Sequence, residues 1–421
     1  MSRLVTSEAS GVRPEPQVAS GGVPDALPAP AFRHDPVKSV LPGQAAEPVD
    51  WTAEPAVCGH RRMTYDNRTL GRTIAVPISA TPAVVAGVGV VAASDDGFVR
   101  LLDPSLRKEY WRIRLTSSIY ASLVVDRRRR HVVVVATNGE LACVDLRGRL
   151  VWSATAGSPV CATPTVLPAA DLLVVAAFHS RCLAVDLGTG RVVFEHVLPR
   201  PWQAEHDGAA AYRDPYASPA ATAAGTAIVC CAEHVLCLAP DGTERWRTEV
   251  GHPVKASPVA LHETGGVLVC TVAGRCLLLD GGTGEIRREL ALGSKITASP
   301  AVSGGVAAVG LQHDVTVGLD VRSLRELWRS DQGGPRSYTS VTVLPSGDFV
   351  TTTGRGNMLC LGHRDGAFRW ESSQVLGLSD HEPAMDITPV AAADGNVYCA
   401  SYAGDLYRFR FRSSDRGKRC P

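Results

Sequence analysis

The chain has 421 residues, which is enough for two or three ordinary domains or for one closed repeat architecture. Its formal net charge is +1, so no general electrostatic attraction to nucleic acid or to an anionic membrane surface is expected. Hydrophobic residues make up 45% of the chain, and the 40 glycines and 28 prolines indicate many short strands joined by tight turns.

The N-terminal segment differs in composition from the rest of the chain. Residues 1–48 contain eight prolines, many alanines and glycines, and no hydrophobic periodicity, so a disordered tail is predicted. The N-terminus has no apolar run of the length that a secretory signal needs, and no later stretch is apolar enough to span a bilayer. A cytoplasmic protein that does not bind membranes is therefore expected. Residues 49–67 are interpreted as a linker or as a lid over one face.

A phrase of roughly 41 residues then recurs along the chain, which is typical of repeat architectures. It consists of a small residue followed by Ser or Thr and Pro, an apolar run, a turn with Gly, a strand ending in Leu-Asp, another turn and a large residue. The best copy runs from residues 255–258 to residues 278–285. The large residues that close seven copies are Trp111, Trp152, Phe194, Trp246, Arg288, Trp328 and Trp370.

Each copy is predicted to form four short antiparallel strands. β-Branched residues and period-two alternation favour strands, turn residues recur at short intervals, and helical periodicity is absent. A single copy cannot bury both faces of its sheet, so the copies are expected to pack radially as the blades of a β-propeller, which also protects their edges.

An eighth copy begins at residues 386–389 and ends after its third strand, near residue 411. Counting one period back from Trp111 leads to residues 68–76, around Leu70, which are predicted to supply the missing fourth strand and to close the ring. The predicted fold is therefore all-β, an eight-bladed propeller of four-stranded antiparallel blades closed by an N-terminal strand. It covers residues 68–411 and is followed by a polar tail at 412–421.

Two residue sets are given structural roles. The tetra-arginine run at 127–130 lies between two strand-like stretches and is expected to be a solvated turn. Five cysteines occupy the third strands of successive copies, and cytosolic cysteines usually stay reduced, so they are interpreted as small core hydrophobes. These cysteines are Cys143, Cys182, Cys237, Cys276 and Cys360.

The repeated phrase, with Ala-Ser-Pro at 256–258 and Thr-Gly-Glu at 283–285, resembles the quinoprotein-type or PQQ-like propeller repeat. That repeat is found in quinone-dependent alcohol dehydrogenases and in the outer-membrane assembly lipoprotein. The resemblance implies the fold over about residues 68–411 but no single function, because the superfamily includes enzymes, scaffolds and sensor domains.

Two departures from the quinone enzymes bear on a cofactor. Those enzymes carry a vicinal cysteine pair in a loop over the quinone, whereas Cys230 and Cys231 lie here at the end of a second strand. Their calcium-binding carboxylates and amides also have no match in this chain. No cofactor is therefore expected.

The candidate site lies at the mouth of the central channel, which the first strand of each blade lines in propellers. Polar and aromatic residues are expected there from three parts of the sequence. These are the aligned positions before the first strands, a long insertion before the fourth blade and a second long connection before the eighth blade. Their cationic and aromatic character favours an anionic or planar ligand, although these groups could instead satisfy one another and channel water. The candidate ligand-binding residues are Tyr120, Trp202, Asp214, Lys255, Lys295, Arg336 and Asp386.

Two functions remain open from the sequence. The preferred hypothesis is a binding scaffold that recognises a protein or a small anionic or aromatic ligand at the channel rim. The alternative is a lyase-type or cyclase-type enzyme with a histidine base and a tyrosine proton donor. Its catalytic candidates are His206, His381, Tyr216 and Tyr338.

The same two long connections contain potential metal ligands. Nitrogen and oxygen atoms of the type that zinc prefers are present, but no tight ligand spacing supports a metal, and none is expected. The residues concerned are His206, Asp207, His381 and Glu382.

Overall fold

The computed structural model describes residues 40–41, 49–67, 69–85, 87–200, 215–335, 339–372, 385 and 387–413. Eight sheets in these ranges each contain four antiparallel strands, and seven of them use four strands that are consecutive in sequence. First strands of most neighbouring blades contact one another in the described ranges, including those of blades 8 and 1, so they surround a central axis. The predicted eight-bladed propeller is confirmed. In these ranges no helix is long and apolar enough to cross a bilayer.

The strands of the first four blades follow the predicted repeat. Those of blade 1 are Ala83–Val85, Gly89–Ala93, Phe98–Leu102 and Glu109–Arg114. Those of blade 2 are Val124–Asp126, His131–Val135, Glu140–Val144 and Leu150–Thr155. Those of blade 3 are Thr165–Leu167, Leu172–Ala177, Arg181–Asp186 and Val192–Val197. Those of blade 4 are Ala220–Ala221, Ala227–Cys231, His234–Leu238 and Glu244–Glu249.

The second half of the chain repeats the pattern. The strands of blade 5 are Val259–Leu261, Gly266–Cys270, Arg275–Asp280 and Ile286–Ala291. Those of blade 6 are Ala301–Ser303, Val306–Leu311, Val315–Asp320 and Glu326–Ser330. Those of blade 7 are Thr342–Val343, Phe349–Thr352, Met358–Leu361 and Phe368–Glu371. Blade 8 contains Val390–Ala391, Asn396–Ala400, Asp405–Arg410 and, as its outer strand, Ala56–Arg62.

Hydrophobic packing between blades holds the ring together. The second and third strands of most blades are buried at every position or nearly so, because both faces of each sheet lie against a neighbouring blade. Eight hydrophobic clusters result, and each joins two adjacent blades, including blades 8 and 1. Strands buried on both faces read as continuous apolar runs in the sequence, as these second strands do.

The predicted position of the closing strand is wrong. The strand that pairs with the last blade is Ala56–Arg62, with His60 opposite Tyr407, and not the segment around Leu70. Leu70 lies in the turn of a separate hairpin, Thr64–Asn67 with Arg72–Ala75, and its side chain is 57% exposed. Counting back by one period failed because this hairpin is inserted between the closing strand and blade 1. Part of the predicted linker or lid, residues 49–67, thus completes the propeller.

The chain break in blade 8 lies where other blades have their turn between the third and fourth strands. Val49–Asp50 pairs with Arg412–Ser413 across this break. The Trp51 carbonyl accepts a hydrogen bond from the Trp370 indole at 3.3 Å, as a turn carbonyl does in other blades. Further upstream, in the predicted tail, Val40–Leu41 pairs in parallel with Val84–Val85.

A chain of hydroxyl groups around the axis explains the Ser/Thr position of the repeat. The backbone N–H of this residue in one blade donates to the hydroxyl of the equivalent residue in the next blade, so the motif links blades as well as starting strands. The described bonds are Thr81 to Ser122 at 3.3 Å, Ser122 to Thr163 at 2.9 Å, Thr163 to Ser218 at 3.0 Å, Ser218 to Ser257 at 3.0 Å, Ser257 to Ser299 at 2.9 Å and Ser340 to Thr388 at 2.9 Å.

In most copies the aromatic residue at the closing position packs on the next blade. The Trp152 indole donates to the Leu187 carbonyl at 2.9 Å and covers Gly190, where an added Cβ would lie 2.5 Å from the ring. Gly190 has φ of +72°, in the left-handed region that favours glycine. Trp111, Phe194, Trp246 and Trp328 cover a glycine of the next blade in the same way.

The tetra-arginine run is more than a solvated turn. The Arg129 guanidinium binds Asp126 in its own turn and both carboxylate oxygens of Asp171 in blade 3, one of them at 2.7 Å. These hydrogen bonds hold the pKa of the Asp171 carboxyl below its usual range. Arg129 therefore contributes a half-buried ion pair between two blades, so the expectation of a solvated turn is wrong for this residue.

The cysteines of the third strands are core residues, as predicted. All five are at most 2% exposed, and nine of the eleven described cysteines are buried. Burial raises the pKa of the Cys143 and Cys182 thiols to about 12, so their reactive thiolate forms are scarce at neutral pH.

Alkylation by iodoacetamide at about pH 8 should therefore distinguish two classes of thiol in the native protein. Among the described cysteines, exposed Cys58 and half-buried Cys161 should react, whereas the nine buried cysteines should react only after unfolding in guanidinium. Mass spectrometry of the digested protein measures each site. Equal labelling of Cys143 and Cys58 before unfolding would contradict this prediction.

Candidate functional site

The turns of each blade divide between two faces of the propeller. Because adjacent strands are antiparallel, the segment leading into the first strand lies at the same end of the blade as the turn between the second and third strands. We call this end the rim. The turns between the first and second strands and between the third and fourth strands lie at the other end, which we call the opposite face.

Backbone hydrogen bonds fix the segments leading into the first strands, which the sequence predicted to form the channel mouth. In five described blades, the residue that begins the turn between the second and third strands donates its N–H to the segment leading into the first strand. These bonds are Asp95 to Pro77 at 2.9 Å, Thr137 to Ser118 at 2.8 Å, Phe178 to Pro159 at 2.8 Å, Val272 to Pro253 at 2.9 Å and Gln312 to Lys295 at 3.1 Å.

Side chains of three consecutive blades form a cluster on the rim. The Tyr216 ring of blade 4 contacts Phe178 of blade 3 edge-on, with ring centroids 5.1 Å apart. The Lys255 ammonium of blade 5 lies 5.3 Å from the centroid of the same Tyr216 ring. Such a cation–π contact contributes roughly 0.5–1 kcal/mol at an exposed site, and all three residues are half-buried. The structure thus brings together two of the predicted site residues and adds Phe178.

The remaining predicted site residues divide into two groups. Tyr120 is 47% exposed on the rim of blade 2, and Lys295 is half-buried on the rim of blade 6. The others lie outside the described residues, and they are His206, His381, Tyr338, Trp202, Asp214, Arg336 and Asp386.

The rim contains a carboxylate that the sequence analysis missed. Asp95, in the turn between the second and third strands of blade 1, accepts a hydrogen bond from the Ser79 hydroxyl at 3.0 Å. Its other carboxylate oxygen is buried and has no hydrogen-bond partner among the described residues. Burial raises the pKa of Asp95, and the bond from Ser79 partly opposes this effect. Its position in a turn between the second and third strands, beside Ser79 in the segment leading into the first strand of blade 1, was the available signal.

Two histidines at the rim have local partners. The His179 imidazole Nδ1 lies 2.8 Å from the Ser158 hydroxyl, and His234 Nε2 lies 3.3 Å from a Glu233 oxygen. No cluster of three or more His, Cys, Asp or Glu side chains suited to a metal occurs in the described part of the chain. The four potential metal ligands at 206, 207, 381 and 382 lie outside it, so the expectation of no metal is not tested there.

Among the described residues, the exposed tyrosines all lie on the rim. Tyr65 in the hairpin before blade 1, Tyr120, and Tyr402 in the turn between the second and third strands of blade 8 are 45%, 47% and 46% exposed. Most other large hydrophobic side chains with comparable exposure lie on the fourth strands, at the outer edge of the propeller. Of these three, only Tyr120 was among the predicted site residues, although Tyr402 occupies a recognisable turn position between two strands of the repeat.

The cysteine pair tests whether the chain fits a quinone. Cys230 and Cys231 lie in the second strand of blade 4 and are 0% exposed. Their side chains point to opposite faces of the sheet, because Cys230 packs between blades 4 and 5 and Cys231 packs between blades 3 and 4. Neither thiol reaches the channel mouth, so this pair does not fit the contact over a quinone that the enzymes of the superfamily make.

Comparison with protein families gives one match that spans most of the chain. The model described as outer membrane protein assembly factor BamB matches residues 50–234 and residues 231–418. No protein with a curated function matches the sequence significantly.

Solved structures with the same fold share little sequence with this chain. BamB from Moraxella catarrhalis has a TM-score of 0.66 and 16% identity, and the match covers 85% of this chain and 100% of that one. The designed protein Ika8 has a TM-score of 0.64 and 13% identity, and the match covers 85% of this chain and 100% of that one. Sqt1 from Saccharomyces cerevisiae has a TM-score of 0.63 and 12% identity, and the match covers 85% of this chain and 99% of that one. At these identities the likeness shows the fold alone.

Proposed function

Because the chain belongs to the family of the outer membrane protein assembly factor BamB, we propose that it is a protein-binding scaffold that recognises its partner through the rim. The segregation of exposed tyrosines onto the rim is the observation that supports this choice of surface. Tyrosine and arginine are enriched in protein interfaces, where a rigid ring buries a large area at little cost in conformational entropy.

The contacts of the rim support a preformed binding surface. Backbone hydrogen bonds hold the rim turns against the segments leading into the first strands, and Tyr216 is fixed between Phe178 and Lys255. A surface that is ordered before binding loses less entropy when the partner binds. Tyr120 and Tyr402 would then act as exposed anchors, and the Lys255 ammonium favours an acidic group on the partner.

The proposal includes a cytosolic location. All eleven described cysteines are thiols, among them Cys270 and Cys276, whose sulfur atoms lie 3.4 Å apart across two paired strands. Reducing compartments keep such neighbouring thiols reduced, and this supports the cytosol over an oxidising compartment. Cell fractionation that finds the chain outside the cytosol would contradict this part of the proposal.

Affinity capture from the native cells, with quantitative mass spectrometry, tests the rim directly. The variant Tyr120→Ala/Tyr402→Ala should lose at least about tenfold of the captured partner, because truncating an interface tyrosine typically costs 1 kcal/mol or more. Both side chains are exposed in the free protein, so the substitutions should leave the unfolding temperature nearly unchanged.

A matched control is available on the outer edge. Phe368, on the fourth strand of blade 7, is 50% exposed and is also aromatic, so Phe368→Ala removes a similar area from a different surface. This variant should capture the partner as well as the unchanged protein does. Equal loss in both variants, or equal retention, would place the binding surface elsewhere and reject the proposal for the rim.

A further inference from the structure

Blade 5 lacks the aromatic residue that packs on the next blade. Its fourth strand, Ile286–Ala291, carries Arg288 at the closing position, where six other copies have Trp or Phe. Arg288 is exposed, and its guanidinium makes no hydrogen bond or ion pair with any described residue. By contrast, the Trp246 indole of blade 4 donates to the Gly281 carbonyl at 3.0 Å.

The turn of blade 6 that faces Arg288 also departs from the repeat, because it has a leucine in place of the glycine. Gly284, in the turn of blade 5 beneath the Trp246 ring, has φ of +75°. Leu324 occupies the equivalent position in the turn of blade 6 and has φ of +56°. A leucine is possible there because no ring covers the position. Leu324 is buried and packs in the hydrophobic cluster that joins blades 5 and 6.

A cavity of about 320 Å³ remains between blades 5 and 6 on the opposite face. Its volume lies near the lower end of small-ligand pockets, which span roughly 300–1,000 Å³. Leu278 and Val321 supply an apolar wall. The other lining residues are Thr264, Gly266, Arg287, Arg288 and Arg322.

The charged residues that line this first cavity are all arginines. Arg287 is paired with Asp280, whereas exposed Arg288 and Arg322 form no side-chain hydrogen bond or ion pair with described residues. A second cavity of about 500 Å³ shares Arg322, extends to Arg364 and Leu327, and includes the acidic residues Glu263 and Asp320. One oxygen of Asp320 already accepts the backbone N–H groups of Arg322 and Ser323.

We propose that the cavity beside Arg288 binds an acidic segment of a partner protein, with an aromatic side chain of that segment in the space that the missing ring leaves. The apolar wall and the neighbouring turn suit an aromatic ring, and Arg288 and Arg322 suit the flanking carboxylates. This site lies on the opposite face from the rim tyrosines, so it does not rest on the proposed function of the rim.

Fluorescence anisotropy with a labelled peptide, in which one Trp is flanked by two Glu on each side, tests the site. We expect a dissociation constant on the order of 10–100 μM, weakening as salt rises because the arginines are exposed. The double variant Arg288→Trp/Leu324→Gly rebuilds the regular interface and should lower the affinity at least about tenfold. Circular dichroism and the unfolding temperature show whether this variant folds.

Two controls make the result specific. Arg245→Ala removes an exposed arginine at another blade and should leave binding unchanged, as should the rim variant Tyr120→Ala/Tyr402→Ala. The proposal is overturned if the peptide binds more weakly than about 1 mM, or if the folded double variant binds as well as the unchanged protein. Equal binding of a peptide with Ala in place of Trp would assign the cavity to anions in general and would also overturn it.

Discussion

Removal of residues 1–62 should open the ring and lower the free energy of unfolding by at least about 5 kcal/mol, the lower end of the total stability of a typical domain. The deletion removes Ala56–Arg62, the outer strand of blade 8, and with it six paired residues of the last sheet. It also removes Trp51 and Val57 from the cluster that joins blades 7 and 8. The exposed third strand, Asp405–Arg410, then becomes an open sheet edge that favours aggregation.

Thermal unfolding and size-exclusion chromatography measure this effect. The control is a truncation that removes residues 1–48 only, because it keeps both the closing strand and the Val49–Asp50 pairing with the C-terminal segment. The shorter truncation should elute at the same volume as the whole chain, with an unfolding temperature close to that of the whole chain. A protein lacking residues 1–62 that eluted like the whole chain and was equally stable would contradict ring closure by Ala56–Arg62.

The fold was predictable because the residue types that recur in the repeat make the same contacts between neighbouring blades in most copies. The Ser or Thr position links first strands through its hydroxyl, as Ser257 does for the Ser218 N–H. The glycine after the third strand leaves room for the aromatic ring of the preceding blade. These constraints act between neighbouring copies, so they are visible in one sequence as a regular spacing.

The closing strand and the exposed tyrosines were harder to predict for a different reason. Pairing of Ala56–Arg62 with Asp405–Arg410 joins segments almost 350 residues apart, and no local pattern distinguishes this strand from the hairpin that follows it. Exposure of Tyr65 and Tyr402 likewise depends on which turns face the rim. The bond from Arg129 to Asp171 was missed because it crosses between blades, and spacing does not reveal its partner.

Replacement of Trp152 by Ala should cost about 3–5 kcal/mol, the range for removing a buried aromatic side chain. The ring is 6% exposed, lies on Gly190 of blade 3, and donates to the Leu187 carbonyl at 2.9 Å. The loss thus combines a cavity between two blades with an unsatisfied carbonyl.

Arg288→Ala is the matched control, because it changes the same position of the repeat where no ring is packed, and it should cost at most about 1 kcal/mol. Urea unfolding followed by tryptophan fluorescence and circular dichroism measures both variants. If the two variants lost equal stability, the closing position would not hold neighbouring blades together, and the exposed cavity beside Arg288 could not be explained by the missing ring.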